Sequence, residues 1–374
     1  MKRIMPLDDS AGLIKVLVVD DSAVVRQVLE AILSQESDMS VMVAADPLIA
    51  LRKMSVVRPD VIVLDLEMPR MDGLTFLRKI MAEDPIPTVI CSGVAARGTL
   101  AALRALDEGA VGIVSKPKLG VRNFLYETGL VLTDMVRSAA RAKIKRRSSS
   151  RTLTERRPTP SQRPTECLHN SARRIVAIGA SIGGTDALAQ ILTVLPPDSP
   201  GIVIVQHMPE VFTAAFAQRL NEMCQIEVKE AAQGDAIAIG RALIAPGNQH
   251  MSVRRRGSQS SVEITDGPLV SRHRPSVDIL FRSVARTEGE HALGIILTGM
   301  GSDGAQGLLE MKMAGAETAA QDEASCVVFG MPKEAIACGA ADMVLPLSKM
   351  RAKILGQSSG GLQGSREIPL RETI

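Results

Sequence analysis

At 374 residues the chain is long enough for two or three domains, and its 45% hydrophobic and 23% charged residues are ordinary for a globular protein. A net charge of +3, with no Trp and one Tyr, argues against a nucleic-acid partner. No apolar run reaches the roughly eighteen residues that span a bilayer, and the first residues lack the apolar core of a signal peptide. We therefore expect a cytoplasmic protein without membrane insertion. The five cysteines lack metal-binding spacing and are predicted to be reduced thiols.

The first part of the chain, residues 14–136, alternates short apolar strands with helical stretches. The clearest predicted strands are Lys15–Val19, Val61–Leu64, Thr88–Cys91 and Val111–Val114. Near-continuous apolar strands separated by amphipathic helices indicate a parallel sheet that is covered on both faces. The sequence therefore predicts an α/β domain here.

Charged and hydroxyl side chains follow several of these strands. Asp20 and Asp21 come after the first strand, Asp65 after the third, Ser92 ends the fourth and Lys116 follows the fifth. The carboxyl ends of neighbouring parallel strands meet at one edge of a sheet, where three carboxylates would suit Mg²⁺. Any one of these acids alone is more often a strand-end or capping residue. Together with the lysine and the serine they predict phosphoryl transfer to Asp65, with Lys116 and Ser92 holding the phosphoryl oxygens.

These residues stand in the motifs V-L-V-V-D-D-S, L-D-L-E-M-P-x-M-D-G and S-K-P, and this part of the chain resembles the response-regulator receiver domain. The resemblance implies a flavodoxin-like fold with a five-stranded parallel sheet. It also implies phosphorylation of Asp65 by a histidine kinase and Mg²⁺ bound by Asp21, Asp65 and the Glu67 carbonyl, with Asp20 in support. The chain departs from the family at Ile113, which stands where a switch aromatic is usual.

Residues 137–172 change character, because they are rich in Arg, Lys, Ser, Thr and Pro and include R-R-S-S-S-R at 146–151. Such a composition cannot bury enough apolar surface to offset the entropy of ordering, so the sequence predicts a flexible linker. The alternative is that its basic residues contact an acidic surface. The Gly- and Ser-containing residues 353–374 are expected to form a disordered tail.

Residues 173–352 return to the α/β pattern and predict a second doubly wound, mainly parallel domain. Its strands are predicted at Ile175–Ile178, Ile202–Val205, Arg241–Ile244 and Leu293–Leu297, with a hairpin between His250 and Thr265.

The first of these strands runs into G-A-S-I-G-G at 179–184, and a helical pattern follows. This arrangement fits the strand-turn-helix that projects a nucleophilic serine, here Ser181. A glycine-rich turn of this kind could equally hold a phosphate group. A dinucleotide site is disfavoured, because the next strand ends in Gln206 and His207 rather than in the acidic residue that would bind a ribose.

A nucleophilic serine needs a base and an acid that orients the base. His207 directly follows the strand that is predicted to lie beside that of Ser181, whereas His250 and His273 are weaker candidates because they are expected in loops. Asp303 follows another strand in G-M-G-S-D-G, where it could instead cap the next helix. The sequence thus predicts a catalytic set in the order Ser181, His207, Asp303.

The motifs G-A-S-I-G-G, Q-H-M-P, A-P-G-N-Q-H-M, R-H-R-P-S-V-D and G-M-G-S-D-G resemble those of the chemotaxis protein-glutamate methylesterase (CheB) family. The resemblance implies hydrolysis of glutamyl methyl esters on methyl-accepting chemoreceptors, glutamine deamidation in some members and a kinase of the CheA type as phosphodonor. Backbone N–H groups near Ile182, aided by the Met300 loop, are expected to bind the oxyanion. No cofactor is expected for the ester hydrolysis.

Two domains of this kind in one chain suggest regulation. We expect the unphosphorylated receiver-like half to cover the esterase cleft and phosphate on Asp65 to weaken that cover. Two alternatives remain open: a docking protein that binds without turnover, and a methylesterase whose target lies outside chemotaxis.

Overall fold

The structure is a computed structural model, and it describes residues 12–93, 96–116, 122–144 and 174–357, without the side chains of 96–98 and 122–128. The predicted linker beyond residue 144 and the predicted tail beyond residue 357 lie outside the described residues. No helix in the described ranges is both long and apolar enough to cross a membrane.

The N-terminal domain contains a parallel five-stranded sheet in the order β2-β1-β3-β4-β5, which confirms the predicted fold class. Its strands are β1 (Ile14–Val19), β2 (Met39–Ala44), β3 (Val61–Leu64), β4 (Thr88–Ser92) and β5 (Gly112–Ser115). Its helices are α1 (Ala23–Leu33), α2 (Pro47–Met54), α3 (Gly73–Glu83), α4 (Ala96–Asp107) and α5 (Arg122–Ala140). The last of these helices continues four residues beyond the expected start of the linker.

Local signals set where three of these helices begin. The side chains of Ser22, Asp46 and Asp72 accept hydrogen bonds from the backbone N–H three residues on, at the starts of α1, α2 and α3. Each bond satisfies a donor that the helix itself cannot pair. These helices therefore begin just beyond the sheet edge that carries the acidic residues.

The C-terminal domain contains a seven-stranded sheet in which all paired neighbours are parallel, in the order β14-β13-β12-β6-β7-β9-β8. The strands are β6 (Ile175–Ala180), β7 (Gly201–Gln206), β8 (Glu227–Glu230), β9 (Arg241–Ile244), β12 (Ala292–Ile296), β13 (Glu317–Gln321) and β14 (Met343–Leu345). The chain leaves β6 toward β7 on one side and later returns to β12 on the other. The carboxyl end of β6 is thus a topological switch point, where open α/β sheets bind ligands.

Six helices and a hairpin complete the described part of this domain. The helices are α6 (Gly184–Leu192), α7 (Glu210–Met223), α8 (Val277–Thr287), α9 (Ala305–Met313), α10 (Met331–Ala337) and α11 (Leu347–Ile354). Strands β10 (His250–Arg256) and β11 (Gln259–Thr265) pair antiparallel, with His250 opposite Thr265, which confirms the predicted hairpin.

The two domains share an apolar contact. Ile182 and Val328 of the C-terminal domain belong to the same buried cluster as Val111, Val114 and Leu132 of the N-terminal domain. The backbone N–H of Lys143 also donates to the carbonyl of Val327, at 2.9 Å. The face of the N-terminal domain formed by α4, β5 and α5 therefore lies against the serine-bearing turn.

Candidate active site

Ser181 stands in the tight turn between β6 and α6. Gly183 adopts a left-handed conformation with φ of 74°, and a Cβ atom there would lie 2.6 Å from the side chain of Val327. Only glycine therefore fits this position without strain. The backbone N–H of Ser181 donates to the carbonyl of Thr298 at 3.1 Å, which ties the turn to the end of β12. Ser181 is 7% exposed.

Gln206, the last residue of β7, supports this turn from the neighbouring strand. Its Nε2 donates to the carbonyl of Ser181 at 2.8 Å and to the carbonyl of His207 at 3.0 Å. One buried amide thus bridges the backbones of the two predicted catalytic residues. The sequence did not predict this bridging role, although the position of Gln206 at the strand end beside His207 pointed to the same sheet edge.

His207 follows β7, which pairs with β6 as predicted. Its Nε2 lies 2.8 Å from Asp303 Oδ2. Its Nδ1 is buried and has no hydrogen-bond partner among the described residues. His207 and Ser181 line one cavity, and Nδ1 is the ring nitrogen that Asp303 does not contact.

Asp303 is held by the start of α8. Its Oδ1 accepts from Ser276 Oγ at 2.8 Å and from Asp278 N at 3.0 Å, and its Oδ2 accepts from Val277 N at 2.8 Å. The alternative role as a cap of its own following helix is not observed, because α9 has no side-chain cap.

These contacts decide the ionisation of Asp303. Burial alone would raise the pKa of this carboxyl, but the hydrogen bond with His207 and the neighbouring charges hold its pKa at about 2. An ionised carboxylate next to Nε2 favours the imidazole tautomer that carries its proton on Nε2.

The other histidines have different surroundings. His250 begins a strand rather than lying in a loop, where its Nε2 contacts the carbonyl of Pro268 and its Nδ1 accepts from Ser276 N. His291 lies before β12, at the opposite end of the sheet from Ser181. His273 stacks on His207, with ring centroids 3.7 Å apart and planes inclined by 5°.

Three ligand atoms of His207, His273 and Asp303 lie within 4.8 Å of one another. Stacked parallel rings direct their nitrogen lone pairs along separate planes, whereas tetrahedral ligands of a zinc ion converge on one point. This geometry favours proton transfer at the cluster.

The second predicted site, at the carboxyl edge of the N-terminal sheet, is also assembled. Lys116 Nζ lies 2.9 Å from Asp20 Oδ2 and 2.8 Å from Asp65 Oδ2. Burial has the largest effect and raises the pKa of Asp65, and the nearby Asp20 carboxylate raises it further. The hydrogen bond and the positive charge of Lys116 lower the same pKa. Ser92 ends β4 and is buried at the same edge.

The donor set suits a divalent cation. Asp20, Asp21 and Asp65 each offer a carboxylate oxygen within 4.8 Å of the others, and Glu67 contacts Asp65 through its backbone N–H at 3.3 Å. Carboxylates and a nearby carbonyl are the hard oxygen ligands that Mg²⁺ prefers. The residues therefore fit the expected ion.

The N-terminal domain closes the cavity in front of the serine. Val111, Ile113 and Met135 line it opposite Ser181 and His207, and its volume is about 20 Å³. Such a space has room for about one water molecule. The site is therefore covered in this structure.

Charged contacts border the same interface. Arg272 Nη1 lies 3.1 Å from Asp134 Oδ2 on α5, and Arg219 forms an ion pair with Asp107 at the end of α4. Arg219 Nη1 also donates to the carbonyl of Leu103 at 3.2 Å. In each pair the C-terminal domain supplies the cation and the N-terminal domain the carboxylate.

The predicted oxyanion region also touches the N-terminal domain. Ile182 and Met300 pack in the apolar cluster between the domains. The N–H of Gly183, at the start of α6, donates to the carbonyl of Val111 at 3.4 Å. The Val111 carbonyl thus accepts from an N–H group at the start of α6, and the start of a helix is where negative charge would be stabilised.

Comparison with known proteins covers both halves of the chain. The model of the CheB methylesterase family matches residues 176–354, and the model of the response regulator receiver domain matches residues 16–121. The chain is 56% identical over 351 residues to "Protein-glutamate methylesterase/protein-glutamine glutaminase 5" of Anaeromyxobacter dehalogenans, which covers 92% of this chain and 97% of that protein.

Two further proteins are similar. "Protein-glutamate methylesterase/protein-glutamine glutaminase 2" of Albidiferax ferrireducens is 54% identical over 345 residues, covering 92% of this chain and 100% of that protein. The crystal structure of the Thermotoga maritima CheB methylesterase catalytic domain is 38% identical and covers 49% of this chain and 97% of that one, with a TM-score of 0.48.

Proposed function

The chain belongs to the CheB methylesterase family and carries a response-regulator receiver domain, and from this premise we propose that it is a phosphorylation-activated protein-glutamate methylesterase of chemoreceptors. Its catalytic set is Ser181, His207 and Asp303. The observation that carries the proposal is the 2.8 Å contact of His207 Nε2 with Asp303 beside a serine that lines the same cavity.

The chemistry follows from this geometry. His207 Nδ1 removes the Ser181 proton as the hydroxyl oxygen attacks the glutamyl ester carbonyl, and Asp303 stabilises the imidazolium that forms. His207 then protonates the departing methanol, and water hydrolyses the glutamyl-enzyme by the same route. N–H groups of the turn that carries Ile182 and Gly183, with the Met300 loop, bind the oxyanion, and one such donor is worth about 10² to 10³ in rate.

The same sequence of steps applies to a glutamine side chain, with ammonia as the leaving group. The names of the similar proteins from Anaeromyxobacter dehalogenans and Albidiferax ferrireducens support this second activity. Amides are poorer acyl donors than esters, so deamidation depends more strongly on proton donation by His207 to the leaving group. We therefore place both activities at Ser181.

The receiver domain holds the unphosphorylated enzyme at a low basal activity by covering the cleft. Val111 and Met135 line the pocket in front of Ser181, where a glutamyl side chain would have to enter, and the carbonyl of Val111 accepts from the N–H of Gly183. The two contacts block the substrate and a candidate oxyanion donor together. Activation accordingly requires the receiver domain to move away from the serine turn.

Strand β5 connects the two sites. Val111, just before this strand, touches the serine turn, and Lys116, just after it, contacts Asp65. A phosphoryl group on Asp65 brings about two negative charges, which Lys116 and Ser92 would bind. Asp21, Asp65 and the Glu67 carbonyl, with Asp20 in support, would hold Mg²⁺, which when bound would supply positive charge beside the phosphoryl oxygens.

The partners follow from this assignment. The phosphodonor is a histidine kinase of the CheA type, and the substrates are methylated glutamates on methyl-accepting chemoreceptors. Such a phosphodonor and such substrates place the reaction in the cytoplasm. The acidic side chains of receptor helices suit the cleft margin, which carries Arg219 and Arg272.

Ser181→Ala tests the catalytic assignment. We expect methanol release from methylated receptors to disappear, whereas Ser252→Ala, a half-buried serine on the hairpin, leaves it unchanged. Unchanged release by the Ser181 variant would contradict the enzyme assignment, and it would favour a docking protein in which the serine turn only binds.

Asp65→Asn tests the regulatory assignment. We expect the variant to keep the low basal activity and to lose activation by a small-molecule phosphodonor. Asp84→Asn, an exposed residue of the same domain, serves as the matched control. Activation of the Asp65 variant to the wild-type level would show that the covering domain responds to something else.

A further inference from the structure

His273 covers one face of the catalytic imidazole. The two rings lie nearly parallel, with centroids 3.7 Å apart, so the face of one ring rests on the face of the other. Asp303 binds one edge of the His207 ring, and its other nitrogen is directed away from that contact. Asp303 and His273 together leave the His207 ring little freedom to rotate.

The turn that carries His273 is built with unusual backbone angles. Val270 and His273 exchange two backbone hydrogen bonds, at 2.9 and 3.1 Å, and the intervening Ser271 and Arg272 have φ of 50° and 66°. Non-glycine residues seldom adopt this left-handed region, because it brings the Cβ atom too close to the following carbonyl oxygen. The surrounding contacts therefore have to hold the turn in place.

Those contacts lead back to the helix that holds Asp303. Ser271 Oγ donates to Asp278 Oδ2 at 3.2 Å, and the backbone N–H of Asp278 donates to Asp303 at 3.0 Å. The start of α8 thus fixes both groups that contact the His207 ring. This common anchor indicates that the stacking is built into the site.

The protonation of His273 is also defined. Its Nδ1 lies 2.7 Å from the carbonyl of Ser271, which can only accept, so Nδ1 carries the proton. Burial and the neighbouring His207 and Arg272 lower the pKa of His273 to about 3, although Asp303 opposes this. The ring of His273 is therefore neutral at near-neutral pH.

We infer that His273 is a positioning residue for the reaction: its neutral ring holds the His207 imidazole in register with Ser181 and Asp303 and stabilises the imidazolium that forms in the transition state. A cation is attracted to the face of an aromatic ring. Because the positive charge on His207 appears only as the serine proton is transferred, this attraction lowers the barrier more than it strengthens substrate binding.

Two variants of the full-length, phosphodonor-activated protein separate the ring from its hydrogen bond. His273→Phe keeps an aromatic face and loses the bond to Ser271, whereas His273→Asn can keep that bond and loses the ring. We expect the Phe variant to keep kcat within about threefold of wild type. We expect the Asn variant to lose about tenfold in kcat, with KM within about twofold.

His291→Asn, an exposed histidine at the far end of the sheet, is the matched control and should match wild type. Melting temperatures of all variants establish that they are folded. An Asn variant that is as active as the Phe variant, or a loss that appears in KM instead of kcat, would overturn the inference.

The inference rests on the proposed role of His207, and the two can fail separately. Methanol release that survives Ser181→Ala would remove the catalytic set itself. An inactive Ser181→Ala protein beside a fully active His273→Asn protein would leave the catalytic set intact and refute only the role of His273.

Discussion

Arg272 Nη1 donates a hydrogen bond to Asp134 Oδ2 across the domain interface, at 3.1 Å. Arg272 is 70% exposed and precedes the histidine that stacks on His207, so this ion pair joins helix α5 of the receiver domain to the margin of the active site. Exposed ion pairs contribute about 0.2 to 1 kcal/mol. Such a contact can favour the arrangement in which the receiver domain covers the cleft, but it is too weak to prevent the domain from moving away.

We expect Asp134→Asn to raise the methylesterase activity of the unphosphorylated protein about twofold to fivefold, because the closed state loses this contact. Asp107→Asn, which removes the partner of Arg219 at the other side of the interface, should add a similar factor. Methanol release without a phosphodonor is the measurement. Glu83→Gln, whose partner Lys79 lies on the same helix, is the control and should leave activity unchanged. Activity that stays at the wild-type level in the double variant would show that the ion pairs do not hold the cover.

Removal of divalent cations should separate the two domains functionally. The carboxylates of Asp20, Asp21 and Asp65 gather in the receiver domain, whereas the proposed ester hydrolysis uses side-chain and backbone groups alone. A chelator should therefore abolish the increase in activity produced by a small-molecule phosphodonor and leave basal methanol release unchanged. The Asp65→Asn protein should show the same basal rate with and without chelator. A fall in the basal rate would mean that the esterase site itself depends on a metal.

The pH dependence of the activated enzyme should contain no step from His273 or Asp303 near neutral pH. Burial lowers the pKa of His273 to about 3, and the hydrogen bond with His207 helps to hold the pKa of Asp303 at about 2 against the effect of burial. Each group therefore keeps one protonation state between about pH 5 and about pH 8. The profiles of log kcat/KM against pH for the wild-type and His273→Phe proteins should have the same shape over that range. Profiles of different shape would show that His273 titrates there.

The sequence predicted the strands that are buried on both faces and missed those at the margins. Val61–Leu64 and Arg241–Ile244 were predicted with the observed bounds, because their apolar runs end sharply. Glu227–Glu230 and Met343–Leu345 lie at the two edges of the C-terminal sheet, and Glu317–Gln321 consists largely of small and polar residues. Edge strands need no continuous apolar run, since one side faces solvent.

The candidate site shows the same division. The placement of Ser181, His207 and Asp303 at one edge could be predicted because each follows a buried strand, and parallel strands bring such positions together; their catalytic roles stay a prediction. The groups that orient them come from elsewhere: Ser276 at the start of α8, and His273 in a two-residue turn. Which helix end supplies N–H groups to Asp303 depends on tertiary packing, and no periodic pattern in the sequence encodes it.

The side-chain amide of Gln206 connects the backbones of the two proposed catalytic residues, Ser181 and His207. Nε2 donates to the carbonyls of Ser181 and His207, and the side chain is 2% exposed. Gln206→Met keeps a similar volume but removes the donor. The Ser181 carbonyl keeps a bond from the N–H of Gly184 at 2.8 Å, whereas the His207 carbonyl loses its donor, at a cost of about 1 to 3 kcal/mol.

We expect this variant to lose about tenfold or more in kcat, since small displacements of a nucleophile and its base are costly. The phosphodonor-activated protein is the form to measure, so that the receiver domain does not limit access. Gln190→Met is the matched control, because Gln190 is a glutamine of α6 whose amide bonds only a neighbouring exposed aspartate, Asp186, at 2.8 Å. A folded Gln206→Met protein with the kcat of that control would mean that the serine turn and the histidine keep their alignment without the bridging amide.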